Sequence, residues 1–349
     1  MREVDVAGRN IGLGHPCFII AEAGVNHNGD VEMAKRLVDV AAEAGADAVK
    51  FQTFKAEQVV STTAPKAEYQ VETTGSSQSQ LEMLQALELS REAHVELQAY
   101  CRERGVLFMS TPFDEGSADL LAELNVPVLK IPSGEVTSWP FLEYVARKGK
   151  PVIFSTGMSY LSEVEDAVRV LRQAGCDQMV LLHCVSNYPT DPADTNLRAM
   201  ETMATAFNVP VGYSDHTQGI EVPLAAVAMG ASAIEKHFTL DRTLPGPDHR
   251  ASLDPKELKT MVQGIRTVEK SLGHGRKEPA ASEAGNREII RRSVAVAHDV
   301  PEGAALRSDM LTLLRPAGGI PPAQLEEVPG RRPRRALRAG EILTWGDLE

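Results

Sequence analysis

The chain has 349 residues, of which 43% are hydrophobic and 24% are charged, so it can bury a full core and should fold as a globular protein. Its net charge of −12 argues against general binding to nucleic acid or to a membrane surface. No stretch of about 18 apolar residues is free of charge and proline, which excludes a membrane-spanning helix.

The N-terminus and the cysteines indicate a compartment. Residues 1–5 are charged where a secretory leader would be apolar. The four cysteines lack the paired spacing of metal sites and are too few for a disulfide scaffold. We therefore expect free, buried thiols in a reducing cytoplasm, and neither nucleic acid nor membrane among the partners.

Short β-rich runs alternate with longer amphipathic stretches from Cys17 to Leu272. The pattern predicts eight strands, at residues 18–21, 48–51, 106–109, 128–131, 152–154, 179–182, 210–212 and 233–235. It predicts helices between them, for example at residues 31–44, 91–104, 163–174 and 255–272. Ser162 and Asp254 are the predicted caps of the last two.

Eight strand–helix units over roughly 250 residues are typical of a (β/α)8 TIM barrel. A doubly wound sheet is the competing fold, but no Gly-x-Gly-x-x-Gly follows the first predicted strand. Strand after strand ends in a hydroxyl followed by turn residues, as in Ser110-Thr111-Pro112 and Ser155-Thr156-Gly157. Turn chemistry explains part of this repeat. Active sites also form past the ends of barrel strands, so the hydroxyls could bind phosphate or carboxylate oxygens.

Three segments outside this alternation complete the predicted organisation. Residues 4–13 should form a hairpin around Gly8-Arg9-Asn10 that plugs the bottom of the barrel. The long connection from Lys55 to Leu89 is expected to be functional. The predicted domains are a barrel with its hairpin at 1–272, a polar linker at 273–286 and a small β-containing domain at 287–349, with strands near 293–297 and 310–314.

Two histidines occupy equivalent positions after the last two barrel strands. His216 lies in Tyr-Ser-Asp-His and His237 in Glu-Lys-His-Phe. Adjacent strands would place them side by side, where neutral imidazoles can hold a divalent ion such as Mn, Zn or Fe. Hydrogen bonding or general-base chemistry is the alternative interpretation.

Two lysines, Lys50 and Lys130, end apolar strands. A buried ammonium needs a partner, so each either forms an internal ion pair with Glu22, Glu135 or Glu235, or binds a substrate anion. A Schiff-base lysine is a third possibility. The carboxylates of Glu22 and Glu135 could equally do acid–base work or hold sugar hydroxyls. The Gly-Pro-Asp-His run at 246–249 is either a rigid polar loop of the site or a plain turn.

Eight motifs in order at these strand ends together resemble the bacterial sialic acid synthases and their nonulosonate relatives. They lie at residues 18–29, 48–54, 110–114, 130–135, 155–158, 213–216, 235–240 and 246–249. The tail resembles the antifreeze-like (SAF) domain of that family, through Arg291-Arg292-Ser293 and residues 314–320. Leu314 and Ala317 depart from the usual Lys-Arg-Pro-Gly-x-Gly pattern, whereas its arginine is kept at Arg315.

The resemblance implies condensation of phosphoenolpyruvate with an open-chain N-acetylated hexosamine and water, giving a nine-carbon sialic acid and phosphate by C–O cleavage. N-acetylmannosamine is the first expectation for the sugar. The alternative is the 2,4-diacetamido-trideoxyhexose of legionaminic acid synthesis.

The resemblance also assigns roles to residues. Those implied to bind phosphoenolpyruvate are Lys50, Thr111, Lys130, Ser133, Ser155, Asn187 and Ser214. Those implied to be catalytic are Glu22, Glu135, His216 and His237, with a divalent metal, Mn²⁺ before Mg²⁺ or Co²⁺, on the two histidines. Those implied to contact the sugar are Gln52, Tyr188, Asp248 and Arg315. Arg315 would reach the site from the other subunit of a homodimer, whose SAF domain caps it.

Three rival functions stay open at this point. The first is a metal-dependent synthase for a sugar phosphate of the 3-deoxy-octulosonate type. The second is a class I aldolase, which borohydride trapping with pyruvate would reveal. The third, suggested by the antifreeze-like tail, is a non-catalytic sugar- or ice-binding protein. Phosphate release from phosphoenolpyruvate would separate them.

Overall fold

The structure is a computed structural model that describes residues 3–75 and 77–349. The chain divides into two compact units, one ending at Gly273 and one beginning at His274. Met1, where the predicted first domain begins, lies outside the described residues. None of the helices in the described ranges combines the length and apolar character needed to cross a bilayer.

The first unit opens with an antiparallel hairpin of β1 (Val4–Val6) and β2 (Arg9–Ile11). Its turn is at Ala7 and Gly8, which both have positive φ (55° and 81°), and Arg9 and Asn10 already belong to β2. A two-residue turn of this kind matches the twist of the paired strands. The hairpin is therefore confirmed, with its turn one or two residues earlier than predicted.

Eight further strands follow in this unit. They are β3 (Phe18–Gly24), β4 (Ala48–Thr53), β5 (Leu107–Pro112), β6 (Leu129–Ile131), β7 (Val152–Ser155), β8 (Met179–Cys184), β9 (Val211–Asp215) and β10 (Ala233–His237). They pair in parallel in the order β5-β4-β3-β10-β9-β8-β7-β6. The two end strands, β5 and β6, also contact each other, so the sheet closes almost completely. The predicted TIM barrel is confirmed, and each predicted strand overlaps one of these.

Helices alternate with the strands. They are α1 (Val31–Ala44), α2 (Ala56–Val59), α3 (Glu68–Thr74), α4 (Gln80–Gln85), α5 (Arg91–Arg104), α6 (Glu115–Glu123), α7 (Trp139–Ala146), α8 (Leu161–Gln173), α9 (Ala199–Phe207), α10 (Glu221–Ala228) and α11 (Pro255–Leu272). The long connection after β4 holds α2, α3 and α4 and is therefore not a bare loop.

The helix ends follow local hydrogen bonding. The Asp254 side chain caps α11 by accepting from the Glu257 N–H, as predicted. The cap predicted at Ser162 is wrong, because α8 begins at Leu161. There the Glu163 carboxylate accepts from the Tyr160 N–H at 2.7 Å, which satisfies the backbone donor at the cap position itself.

The hairpin plugs the bottom of the barrel. Val4, Val6 and Ile11 are fully buried against the apolar lower layers of the barrel interior. These layers contain Phe18, Ile20, Ala48, Met109, Val128, Ile153, Val180, Leu182 and Ala233. Closer to the carboxyl ends of the strands, the described interior side chains include polar ones, such as Lys50 and His237. That end of the barrel is therefore the one suited to a polar ligand.

The second unit contains α12 (Ala284–Ile290) and an antiparallel pair, β11 (Ser293–Val296) with β12 (Leu311–Leu314). Its own small core includes Val294, Val296, Leu306, Ile320 and Leu343. The predicted β strands are present. The predicted linker at 273–286 is partly helical, because α12 begins at Ala284 and runs across the predicted boundary.

Candidate active site

A cavity of about 310 Å³ opens at the carboxyl ends of the barrel strands. It is lined by Glu22, Lys50, Gln52, Tyr69, Thr111, Phe113, Lys130, Pro132, Ser133, Gly134, Ser155, Met158, Cys184, Ser186, Tyr188, Ser214, His216, Glu235 and His237. Eleven of these were singled out from the sequence as binding or catalytic candidates: Glu22, Lys50, Gln52, Thr111, Lys130, Ser133, Ser155, Tyr188, Ser214, His216 and His237.

Four buried charges form the floor of this cavity. Lys50 Nζ lies 2.6 Å from a carboxylate oxygen of Glu22 and 3.7 Å from one of Glu235. Lys130 Nζ lies 3.3 Å from the other oxygen of Glu235. All four side chains are at most 6% exposed. The lysines thus form internal ion pairs with Glu22 and Glu235, and at the same time line the cavity.

The surroundings shift the pKa values of Glu22 and Glu235 in opposite directions. Burial raises the pKa of Glu22 to about 7, against the opposing effect of Lys50. Burial acts on Glu235 too, but Lys130 and Lys50 outweigh it and lower its pKa to about 2. Near neutral pH Glu235 is therefore ionised while Glu22 can hold or release a proton. With Glu22 protonated and both lysines charged, the four groups carry a net positive charge, which suits an anionic ligand. Burial works against that charge at Lys130, because it lowers the pKa of this lysine.

Hydroxyl groups surround the charges. Lys50 Nζ donates to Thr111 Oγ1 at 2.9 Å, and Ser214 Oγ donates to Glu235 at 3.0 Å. Ser133 Oγ accepts from the Gly157 N–H at 2.8 Å. Among the described atoms, Ser155 Oγ is buried without a hydrogen-bond partner. A buried, unpaired hydroxyl is costly, so Ser155 is free to bind a ligand oxygen.

The two histidines meet beside this cluster. Their ring centroids lie 5.4 Å apart, and the Tyr188 ring is 4.1 Å from His216 and 5.7 Å from His237. His216 Nδ1 donates to the Val185 carbonyl at 2.8 Å, which leaves Nε2 with its lone pair. His237 Nδ1 is buried without a partner in the described part of the chain. Burial, His216 and Lys50 together hold the pKa of His237 well below its usual value, so the ring is neutral.

Burial opposes it, but Cys184 and the Val185 carbonyl raise the pKa of His216 above its usual value. The free Nε2 of His216 and the neutral ring of His237 nevertheless fit a divalent metal, because imidazole nitrogens are among its preferred ligands. His216 and His237 are the residues that would hold it. No group of three or more His, Cys, Asp or Glu side chains suited to a metal occurs within residues 3–75 and 77–349.

Four predicted site residues do not line this cavity. Glu135 ends a 3₁₀ turn (Ser133–Glu135), is half-buried and is not among the residues that line the cavity, and its predicted ion pair with a lysine does not occur in the described part of the chain. Asn187 is exposed and its neighbour Ser186 lines the cavity instead. Asp248 is buried beside the cavity, within electrostatic range of His216, and burial raises the pKa of Asp248 to about 6. Arg315 is exposed in the second unit.

Sequence reasoning undervalued several lining residues. Glu235 was considered only as an ion-pair partner, although it lies two residues before His237 on one strand and so shares its inward face. Cys184 ends β8 on the same pattern; like the other three cysteines it is free and buried, as predicted. Tyr69 comes from α3, and its ring stacks on Tyr188 with centroids 5.1 Å apart. No periodicity could have placed Tyr69 there.

A second buried ion pair lies on the outer face of the same strands. Lys236 donates to the Asp215 carboxylate and to the Thr217 carbonyl, and both charged side chains are at most 1% exposed. Asp215 also accepts from the N–H and the hydroxyl of Thr217, each at 3.0 Å. The pair therefore joins the residues that immediately precede His216 and His237.

Comparison with known proteins places this chain in a family. A model described as the NeuB family matches residues 37–277, and a SAF domain model matches residues 291–349. The chain is 52% identical over 337 residues to the N,N'-diacetyllegionaminic acid synthase of Legionella pneumophila, covering 95% of each protein. It is 47% identical over 328 residues to the synthase of the same name from Campylobacter jejuni, covering 93% of this chain and 98% of the relative.

A solved structure agrees. That of the N-acetylneuraminic acid (sialic acid) synthetase from Leptospira borgpetersenii, in complex with citrate, superimposes with a TM-score of 0.72 at 39% identity, covering 82% of this chain and 95% of that one. A TIM barrel with this site and a SAF domain defines a carbon–carbon bond-forming synthase. The chain belongs to the NeuB family, the nonulosonate synthases that condense phosphoenolpyruvate with an acetamido sugar. The predicted family, fold and class of enzyme are confirmed.

Proposed function

We propose that the enzyme condenses phosphoenolpyruvate with an open-chain 2,4-diacetamido-trideoxyhexose and water, giving N,N'-diacetyllegionaminic acid and phosphate. Two relatives that carry this activity in their names match the chain over nearly its whole length and theirs, which supports this sugar. N-acetylmannosamine, the first expectation from the motifs, becomes the second candidate, supported by the Leptospira synthetase.

One observation supports the proposal: two lysines with hydroxyl groups around them, and a pair of histidines, line one cavity. Lys50, Lys130 and the surrounding hydroxyls would hold the phosphate and carboxylate of phosphoenolpyruvate. His216 and His237 lie beside them, and Tyr188 covers both rings. Asp248 and Gln52 would hold the sugar hydroxyls and amides.

The proposed reaction is the one that the family resemblance implies. The enol C3 of phosphoenolpyruvate attacks the sugar aldehyde carbon, and the new C–C bond leaves C2 with oxocarbenium character. Water adds to C2, and phosphate leaves with the C2–O bond pair. Glu22, whose pKa lies near 7, is placed to move a proton between the attacking water and the developing alkoxide. Glu135 does not line the cavity, and its catalytic role stays a prediction from the family resemblance.

His216 and His237 would hold a divalent metal, with Mn²⁺ as the first candidate and Mg²⁺ or Co²⁺ as alternatives. When bound, it would polarise the aldehyde carbonyl as a Lewis acid. The chain's own part is to keep the His237 ring neutral by burying it and to orient the His216 ring through its hydrogen bond to the Val185 carbonyl.

The test is turnover of phosphoenolpyruvate with each sugar, measured as phosphate release. We expect the diacetamido sugar to give the higher kcat/KM, by at least about tenfold, because a site built for a second acetamido group leaves buried polar groups unpaired without it. Faster turnover of N-acetylmannosamine would make the enzyme an N-acetylneuraminate synthase. No phosphate release with either sugar would reject the reaction. Covalent trapping of pyruvate by borohydride would indicate an aldolase instead.

Substitution of the lysines separates anion binding from ion pairing. Lys50→Met and Lys130→Met remove the charge at similar volume, and we expect each to raise the KM for phosphoenolpyruvate by about tenfold to a hundredfold, the scale of a charge-assisted hydrogen bond. If the lysines serve only to neutralise Glu22 and Glu235, the melting temperature falls and the KM stays unchanged. Kinetics and thermal melts on the same samples distinguish the two results.

We further propose a homodimer in which the SAF domain of one subunit caps the site of the other through Arg315. Arg315→Ala should then raise the sugar KM by about tenfold to a hundredfold and leave the phosphoenolpyruvate KM nearly unchanged. Mixing Arg315→Ala with His237→Ala subunits should restore activity, because one site of each mixed dimer is complete. Mixed dimers with demonstrated exchange and no recovered activity would contradict action in trans.

A further inference from the structure

The turn after β3 is hydrogen-bonded to the loop after β10. Asn28 Nδ2 donates to the Pro245 carbonyl at 2.9 Å, and Asn28 Oδ1 accepts from His249 Nε2 at 3.3 Å. On its other side, His249 Nδ1 lies 2.6 Å from the Thr239 hydroxyl. Burial lowers the pKa of His249 to about 4, so the ring is neutral and can donate from one nitrogen while accepting at the other. The Asn28 side chain is therefore hydrogen-bonded to both ends of the segment 245–249.

A second set of hydrogen bonds, made by Asn26 and Ser252, holds the same loop after β10. Asn26 Nδ2 donates to the Phe238 carbonyl at 2.8 Å and to Ser252 Oγ at 3.0 Å, and it is completely buried. Ser252 Oγ in turn donates to the Asp248 carbonyl at 2.6 Å. The backbone of Asp248 is thus tied, through two hydrogen bonds, to the turn that follows β3.

The fit between the two segments is close. A Cβ atom on Gly246 would lie 2.7 Å from His249 Cδ2 and 2.9 Å from Asn28 Oδ1, so only glycine allows this approach. Asn28 itself has a φ of 51°, a conformation that asparagine tolerates better than most residues. The Asn-His-Asn and Gly-Pro-Asp-His motifs, far apart in sequence, therefore form one joint.

We propose that Asn28, acting through His249 and the segment 245–249, is a positioning residue that sets where Asp248 meets the sugar. The carboxyl group of Asp248 is in electrostatic range of Tyr69, Tyr188 and His216, at the sugar side of the cavity. The phosphoenolpyruvate side, around Lys50 and Lys130, makes no use of this joint. The inference rests on the proposed contact between Asp248 and the sugar.

The test is the KM split of Asn28→Gly, which removes the side chain while keeping the positive φ. We expect the sugar KM to rise by about tenfold, the scale of one lost hydrogen bond, with the phosphoenolpyruvate KM changed less than about twofold. Asn28→Asp, which keeps the acceptor for His249, should recover part of the loss and also serves if the glycine variant folds poorly. Asn208→Gly is the matched control, since Asn208 has a φ of 52° at the end of α9, before β9 begins.

Asp248→Asn, measured with the sugar that turns over faster, separates this inference from the proposed function. If Asp248→Asn raises the sugar KM and Asn28→Gly behaves like Asn208→Gly, the joint has no positioning role and the inference is overturned. Equal increases of both substrate KM values in Asn28→Gly would also overturn it. If Asp248→Asn leaves the sugar KM unchanged, the proposed sugar contact fails, and the positioning role falls with it.

Discussion

Replacing His216 or His237 with alanine is expected to lower kcat by at least about a hundredfold, the scale for removing one group that stabilises charge in a transition state. Each ring can offer a nitrogen to the proposed metal, and the two lie 5.4 Å apart in the cavity that Lys50, Lys130 and Tyr188 also line. Loss of either should therefore also lower metal content, measured by elemental analysis of the purified variant.

Chelation tests the same role without mutation. Activity should be lost in excess chelator and should return on addition of Mn²⁺ or a similar divalent ion. His298→Ala is the control, because His298 is exposed in the second unit; its metal content and kcat should match the parent enzyme. Full activity of the metal-stripped protein would show that the reaction needs no metal. Full metal content in both site variants would show that the two histidines do not hold it.

Lys236→Met is expected to lower the free energy of unfolding by about 3–5 kcal/mol, the cost of leaving a buried charge without its partner. The stranded group would be the Asp215 carboxylate, which is fully buried and otherwise bonded only to Thr217 in the described structure. Denaturant unfolding followed by circular dichroism measures the loss.

The double variant Lys236→Met, Asp215→Asn should recover much of that stability, since it removes the stranded charge. Lys35→Met provides a matched control, because Lys35 pairs with Glu32 and Glu96 at the surface, and it should have a far smaller effect. A loss in Lys236→Met no larger than in Lys35→Met would mean that water reaches the Asp215 carboxylate.

The period of the apolar residues explains why the barrel could be predicted. Each strand is short and β-rich, and residues two apart point to the same side, so the inward position of Lys50 and of His237 follows from the strands alone. Because parallel barrel strands end at one edge, their terminal residues had to converge. The same rule applied to Glu235 would have identified it as a site residue.

The rule fails where a strand gives way to irregular chain. Beyond Ser133 the backbone enters a 3₁₀ turn, and Glu135 at its end does not line the cavity. Beyond Cys184 it is Ser186 rather than Asn187 that lines it. Period-two reasoning has no meaning in such segments. Tyr69 reaches the cavity on a short helix of the long connection, and its place depends on stacking against Tyr188.

The sequence by itself determined the barrel, its open end and the chemical types gathered there, because local periodicity and chain order decide them. Only the tertiary structure decided which charges pair: Lys50 with Glu22 and Glu235, Lys130 with Glu235, and Lys236 with Asp215. It also decided that Asn28 meets His249 across 221 residues of sequence. A hydrogen bond or ion pair is made or lost with a change of a few tenths of an ångström in the distance between its atoms. Only the packing of all the strands together sets such distances.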